Sequence, residues 1–167
     1  ILKHIKGMTL ILNPLVNSYK RLMPGYEAPT HIAWSGKNRT PLIRIPATRG
    51  EETRIELRSP DPACNPYLAL AICLAAGLDG IKNKIVPPDA MEGNMHLLTP
   101  EELEERGIES LPKNLQEAVE EFEKDPLMKE VLGEEVCGKY SMAKKKEWND
   151  YNATVSQWEI DSYLLRI

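Results

Sequence analysis

Five residues, Arg54-Ile55-Glu56-Leu57-Arg58, carry the densest potential chemistry in the sequence. Side chains alternate along a strand, so Arg54, Glu56 and Arg58 are expected on one face, and Ile55 and Leu57 on the other. Two guanidiniums then flank one carboxylate. A carboxylate offers oxygen to a divalent cation, and a guanidinium grips phosphate or carboxylate through paired N–H bonds. The pattern suits a phosphorylated ligand that travels with a metal ion. A half-exposed strand with merely solvated charges also fits these five residues, and the pentapeptide leaves both readings open.

Arg39 and Arg44 extend the pattern. Ile43 and Ile45 are expected to face the core, with Arg44 on the other side; Arg39, two residues before Pro41, belongs in the loop that leads into the strand. Guanidiniums gathered in one cleft repel one another unless an anion lies between them. Upstream, NSYKRLMPGYEAP combines Lys20, Arg21 and Glu27 with two prolines and a glycine. It reads as a polar loop able to serve as a lid or as a plain surface connection.

Positioning these groups requires a scaffold. Residues 1–12 form a mixed segment ending at Asn13-Pro14, and HIAWS reads as a strand. Leu42–Ile45 and Arg54–Arg58 read as neighbouring antiparallel strands around the loop ATRGEE. From residue 61 the pattern turns helical. Asn65-Pro66 is an N-cap followed by a first-turn proline, and the following YLALAICLAAGL is apolar all round, so this helix is expected to be buried, with Gly77 or Gly80 ending it. Thr99 to Glu102 has capping-box spacing. Leu115, Val119 and Phe122 mark an amphipathic helix, Asp125-Pro126 opens another, and Val136, Tyr140, Ala143, Trp148 and Tyr151 line a longer one. Ser156 caps a last helix. The expected class is α+β: antiparallel strands followed by a mostly helical carboxy-terminal region.

Composition narrows the function. A net charge of −4 over 167 residues argues against nucleic-acid binding, and strand arginines without stacking aromatics argue the same way. The three cysteines contain no CxxC pair, which fits reduced thiols in a cytoplasmic protein. The longest apolar run, 12 residues from Tyr67 to Leu78, falls short of the roughly 20 of a membrane span. His4, His31 and His96 lack ligand spacing and read as structural. Cys73 reads as core, Lys144-Lys145-Lys146 as a solvated face, and Trp148, Trp158 and Tyr163 as packing residues. The start at Ile1 reads as the middle of a longer polypeptide.

The longer motifs then resemble one family. Asn17-Ser18-Tyr19-Lys20-Arg21-Leu22-Met23-Pro24-Gly25-Tyr26-Glu27-Ala28-Pro29 is similar to the glutamate-flap segment of glutamine synthetases. Asn38-Arg39, Ile43-Arg44-Ile45-Pro46 and Arg54 to Arg58 resemble that family's arginine strands. Pro60-Asp61-Pro62, Asn65-Pro66-Tyr67-Leu68-Ala69 and Ala76 to Ile81 continue the match in order. The resemblance is strongest over 13–86 and continues through Leu132-Gly133-Glu134 and the Trp148 and Trp158 regions.

The resemblance implies a two-step ligation, in which ATP phosphorylates the glutamate side chain and ammonia then attacks the acyl phosphate. It implies that Arg21 grips the substrate carboxylate and that Glu27 sits on the closing flap near the ammonium site. Arg39 neutralises the transferring phosphoryl group, and Arg44 and Arg54 lie on the nucleotide phosphates. Glu56 ligates Mg2+ or Mn2+, and Arg58 contacts the phosphoryl group or the substrate. The remaining metal ligands, the adenine pocket and a small amino-terminal domain are expected earlier in the polypeptide. A dodecamer is expected for the whole enzyme, with a regulatory protein possible at the acidic helical half. The loop Asn94-Met95-His96-Leu97-Leu98 lacks the tyrosine that some bacterial members adenylylate, so no such control is expected. Two alternatives are a ligase using polyamines or other amines, and a non-catalytic oligomerisation or regulator-binding module.

Overall fold

The computed structural model describes residues 1–25, 28–93, 95 and 98–166. Its centre is a short helix, α1 (Ile5–Leu12), in which Ile5, Met8, Leu10, Ile11 and Leu12 are all essentially without solvent contact. The mixed opening segment is therefore a helix. Every residue of it except Lys6 is buried, so little polar surface marks its period. Helix α2 (Ser18–Arg21) follows. Three two-residue strands then form one sheet: β1 (Trp34–Ser35), β2 (Ile43–Arg44) and β3 (Glu56–Leu57). As expected, β2 and β3 run antiparallel, with Ile43 opposite Leu57 and Arg44 opposite Glu56. β1 joins β2 in parallel, which makes the sheet mixed.

The helices after the sheet are α3 (Pro66–Lys82), α4 (Pro100–Glu105), α5 (Leu115–Lys124), α6 (Pro126–Leu132), α7 (Glu134–Asn152) and α8 (Gln157–Tyr163). Their starts follow the sequence signals. The Asn65 side chain accepts from the backbone N–H groups of Tyr67 and Leu68, and Thr99 and Ser156 each form a complete capping box. Asp125 accepts from the Leu127 N–H at the head of α6. The amphipathic face of α5 (Leu115, Ala118, Val119, Phe122) is buried against α1 on one side and α7 on the other.

Other expectations need correction. α3 is not buried all round. Only Ile72 and Ala76 are buried, while Tyr67, Leu70, Leu74, Leu78 and Ile81 are exposed, because this chain packs against a single face of the helix. Neither Gly77 nor Gly80 ends it. It closes at Lys84, in the left-handed region (φ 51°), with the Ile85 N–H donating to Gly80 O at 2.9 Å. On α7 the buried seam runs through Cys137, Tyr140, Ser141 and Trp148, leaving Val136 and Ala143 outside. Lys144 is not simply solvated. Its ammonium lies 5.6 Å from the centre of the Tyr140 ring and 2.7 Å from Glu147. Trp158 and Tyr163 pack edge to face on each other, with ring centres 5.5 Å apart, and not on the core.

An ionic seal holds α1 to its neighbours. Buried His4 places Nδ1 2.8 Å from Asp125 and Nε2 2.9 Å from Asp79, which also receives Lys3 at 3.1 Å. Each ring nitrogen thus faces a carboxylate oxygen, which can only accept. The hydrogen bond from His4, and after it that from Lys3, draws the Asp79 carboxyl down to about 2. Gly7 lets Asp125 approach this closely, since a Cβ at position 7 would sit 2.7 Å from Asp125 Cβ.

We expect Gly7→Ala to lose about 1–3 kcal/mol by overpacking, measured by denaturant unfolding. The pH dependence follows from Asp79. Its folded value lies below the ordinary ~3.9, so its stabilisation is complete above that value and is lost as pH falls toward 2. Over about pH 4 to 2, the wild-type chain should lose more stability than Asp79→Asn in acid titrations followed by circular dichroism.

Candidate active site

The antiparallel register carries the chemistry. Arg44 stands opposite Glu56, and Arg54 lies two residues before it on the same face. Arg44 Nη1 donates to Glu56 Oε2 at 2.9 Å, while Arg54 donates to Oε1 through Nε at 3.2 Å, with its Nη2 at 3.0 Å. One carboxylate is thus clamped between two guanidiniums. The hydrogen bond from Arg44, aided by that from Arg54, holds the Glu56 carboxyl below the ordinary glutamate range. Arg44 Nε is buried with no partner. A buried polar atom in that state costs about 1–3 kcal/mol, so the clamp is not a fully satisfied ion pair.

The other sequence-selected residues are held separately. Arg58 extends from β3. Its backbone N–H donates to Leu42 O at 3.0 Å, and its Nη1 lies 3.5 Å from Pro41 O. Arg39 is exposed on the loop between β1 and β2. That loop is braced. The Asn38 N–H donates to Ser35 Oγ at 3.2 Å, its amide donates to Gly93 O, and its Oδ1 accepts from the Thr40 N–H at 3.1 Å. Trp34 Nε1 adds a 2.7 Å bond to Pro88 O, so the 88–93 segment buttresses the Arg39 loop. Two of the four strand-region arginines, Arg44 and Arg54, therefore meet at Glu56. Arg21 lies elsewhere, donating to Asn13 and to the Ser59 carbonyl.

Both ends of the 17–29 segment are anchored. Tyr19 and Leu22 are buried on one side, and Ala28 on the other. The second stem is fixed by the Leu111 N–H to Thr30 O (2.9 Å) and the Ile32 N–H to Glu109 O (2.8 Å). Glu27, the expected flap residue, lies outside the described residues, as do His96 and part of the 94–98 loop.

The donor set for a metal is partial. Glu56 has the right oxygens, but among the described residues no group of three His, Cys, Asp or Glu side chains is placed to hold an ion. Burial pushes the Cys73 and Cys137 thiols up, away from thiolate chemistry. Beside the sheet lies an apolar hollow of about 530 Å3, with Trp34, Ile43, Ile45, Ile55 and Val86 among its walls. Among the described residues, no helix is long and apolar enough to cross a membrane.

Sequence reasoning read His4 as structural without naming its partners, and it missed Asn13. Neither sits in a spacing pattern, because their partners are fixed by tertiary packing.

Comparison with known proteins gives a consistent pattern. Residues 1–163 match the family model described as glutamine synthetase, catalytic domain. The chain is 58% identical over 164 residues to the glutamine synthetase of Methanosarcina mazei, covering 98% of this chain and 37% of that protein. It is 56% identical over 164 residues to that of Thermus thermophilus, with the same coverage. Among solved structures, the GmaS/ADP complex in its first conformation matches with a TM-score of 0.83 and 38% identity, over 98% of this chain and 37% of that one. The chain thus spans little more than a third of these relatives.

Glu56→Gln leaves Arg44 and Arg54 facing each other without a counter-charge. We expect this variant to melt below the wild type in about 10 mM salt, with the gap narrowing near 1 M as repulsion is screened. Thermal melts across a salt series measure this.

Proposed function

Because the chain belongs to the glutamine synthetase catalytic-domain family, we propose that it forms the carboxy-terminal part of an ATP-dependent ligase joining ammonia to the side chain of L-glutamate through a γ-glutamyl phosphate. The observation that carries this reading is the Arg44–Glu56–Arg54 clamp. Phosphoryl transfer depends on positioning and charge neutralisation more than on covalent help from the protein. The clamp holds both kinds of group this requires. Arg44 and Arg54 would hold the phosphate oxygens of ATP in place of the carboxylate, and Glu56 would then be able to hold Mg2+ or Mn2+ through its oxygens. Each guanidinium keeps a charged partner throughout, which keeps the exchange inexpensive. The metal, when bound, supplies electrostatic stabilisation of charge on the transferring group.

The remaining roles follow the same chemistry. Arg39, exposed on its braced loop, neutralises the transferring phosphoryl group, and Arg58 contacts that group or the substrate. Arg21 binds the substrate carboxylate. Glu27, on the segment between the two anchored stems, closes the glutamate entrance and lies near the ammonium. Closure matters because an acyl phosphate hydrolyses when water reaches it.

The rest of the catalytic domain completes the metal site and covers the apolar hollow and the exposed face of α3. The coverage of little more than a third of the relatives supports this. The whole enzyme works as a homo-oligomer in the cytoplasm, a dodecamer by family resemblance. The exposed Trp158 and Tyr163 and the acidic helical half are its surfaces for subunit contact or a regulatory protein.

Assays of the complete polypeptide with glutamate, ammonia and ATP should yield glutamine and ADP. Arg39→Ala and Glu56→Gln should each lower kcat by about 10²-fold or more. Residues 1–167 alone should yield no glutamine. A preference for methylamine or a polyamine over ammonia would replace this reading with that of an amine ligase.

A further inference from the structure

Arg21 is held from the interior of the protein. Its Nη2 donates to Asn13 Oδ1 at 3.2 Å and to the Ser59 carbonyl. Asn13 is 0% exposed and Ser59 1%. Asn13 directly follows α1, and its N–H donates to Thr9 O at 2.7 Å, so the buried helix sets its position. The loop bearing Ser59 is tied to the same helix end, through the Asp61 N–H to Leu12 O at 2.8 Å. Two acceptors fixed to one rigid element therefore grip a single nitrogen of the guanidinium.

The hydrogen bonds that are not made are equally informative. Asn13 Nδ2, Arg21 Nε and Ser59 Oγ are all buried without a partner. Buried polar groups are normally satisfied. Asn13 thus uses only half of its amide, the acceptor. Both acceptors on Arg21 are also neutral. A carboxylate in either place would pair with the guanidinium and use up its charge.

We propose that Asn13, together with the Ser59 carbonyl, is a positioning residue for Arg21: two neutral acceptors orient the guanidinium while leaving its positive charge for a substrate carboxylate. This rests on the assignment of Arg21 as the carboxylate-binding group made above.

The test uses the complete polypeptide carrying Asn13→Asp, Asn13→Ala or Arg21→Ala. KM for glutamate and KM for ATP are measured separately, alongside kcat and the melting temperature. Asn13→Asp is nearly isosteric but adds a charge. It should raise KM for glutamate by about tenfold or more and leave KM for ATP within about twofold. Asn13→Ala should show the same split at about threefold. Should Asn13→Asp fail to fold, the split in Asn13→Ala decides the matter. If the Asn13 variants move both constants together, or neither, while Arg21→Ala raises the glutamate constant alone, the positioning role is rejected and the Arg21 assignment stands. If Arg21→Ala leaves the glutamate constant unchanged, the Arg21 assignment fails and the positioning role fails with it.

Discussion

Strands of two residues have too few ladder hydrogen bonds to fix their own alignment, yet a slip of one residue between β2 and β3 would send Arg44 to the opposite face from Glu56. The Arg44–Glu56–Arg54 clamp depends on that alignment being enforced from outside the sheet. The enforcement comes from packing. Ile43 is buried in the same core as α1, with Leu57 packed against it, so register and burial are a single constraint. The loop ends add to it, through the Arg58 N–H to Leu42 O and the Ile45 N–H to Ser35 O.

The helical layer is organised around α1, and α1 is held by charge as well as by apolar contact. Burial of ions is costly unless each is paired. Here His4 is matched by two carboxylates, one at the head of α6 and one near the end of α3, so three helices are joined at one imidazole. The same α1 ends at Asn13, which touches Arg21. The route from core to candidate site is short: buried helix, terminal amide, guanidinium.

Much of this was legible in the sequence where the cause is local. Strand alternation placed Arg54 and Glu56 together, and the caps at Asn65, Thr99 and Ser156 fixed helix starts, because partner and cap lie within a few residues. What escaped depends on distance or on competition between signals. The partners of His4 lie 75 and 121 residues away, so no spacing rule reaches them. α1 escaped because its eight residues carry one charged side chain, Lys6, too little to mark a polar face. α3 misled twice. Its two glycines are weak breakers inside a continuous helix, and an all-apolar pattern records the need for cover without saying that this chain supplies it. Arg21 stands within a recognisable motif, but the amide that touches it carries none.

The bare flank of α3 has a practical consequence. Tyr67, Leu70, Leu74, Leu78 and Ile81 form an oily ridge several turns long on the outside of this chain. Contiguous apolar surface of this kind is what self-adhesion and precipitation act on. Handling of the isolated chain would therefore be governed by colloidal behaviour: it would take up hydrophobic dyes and cluster as concentration rises even while its core remains intact.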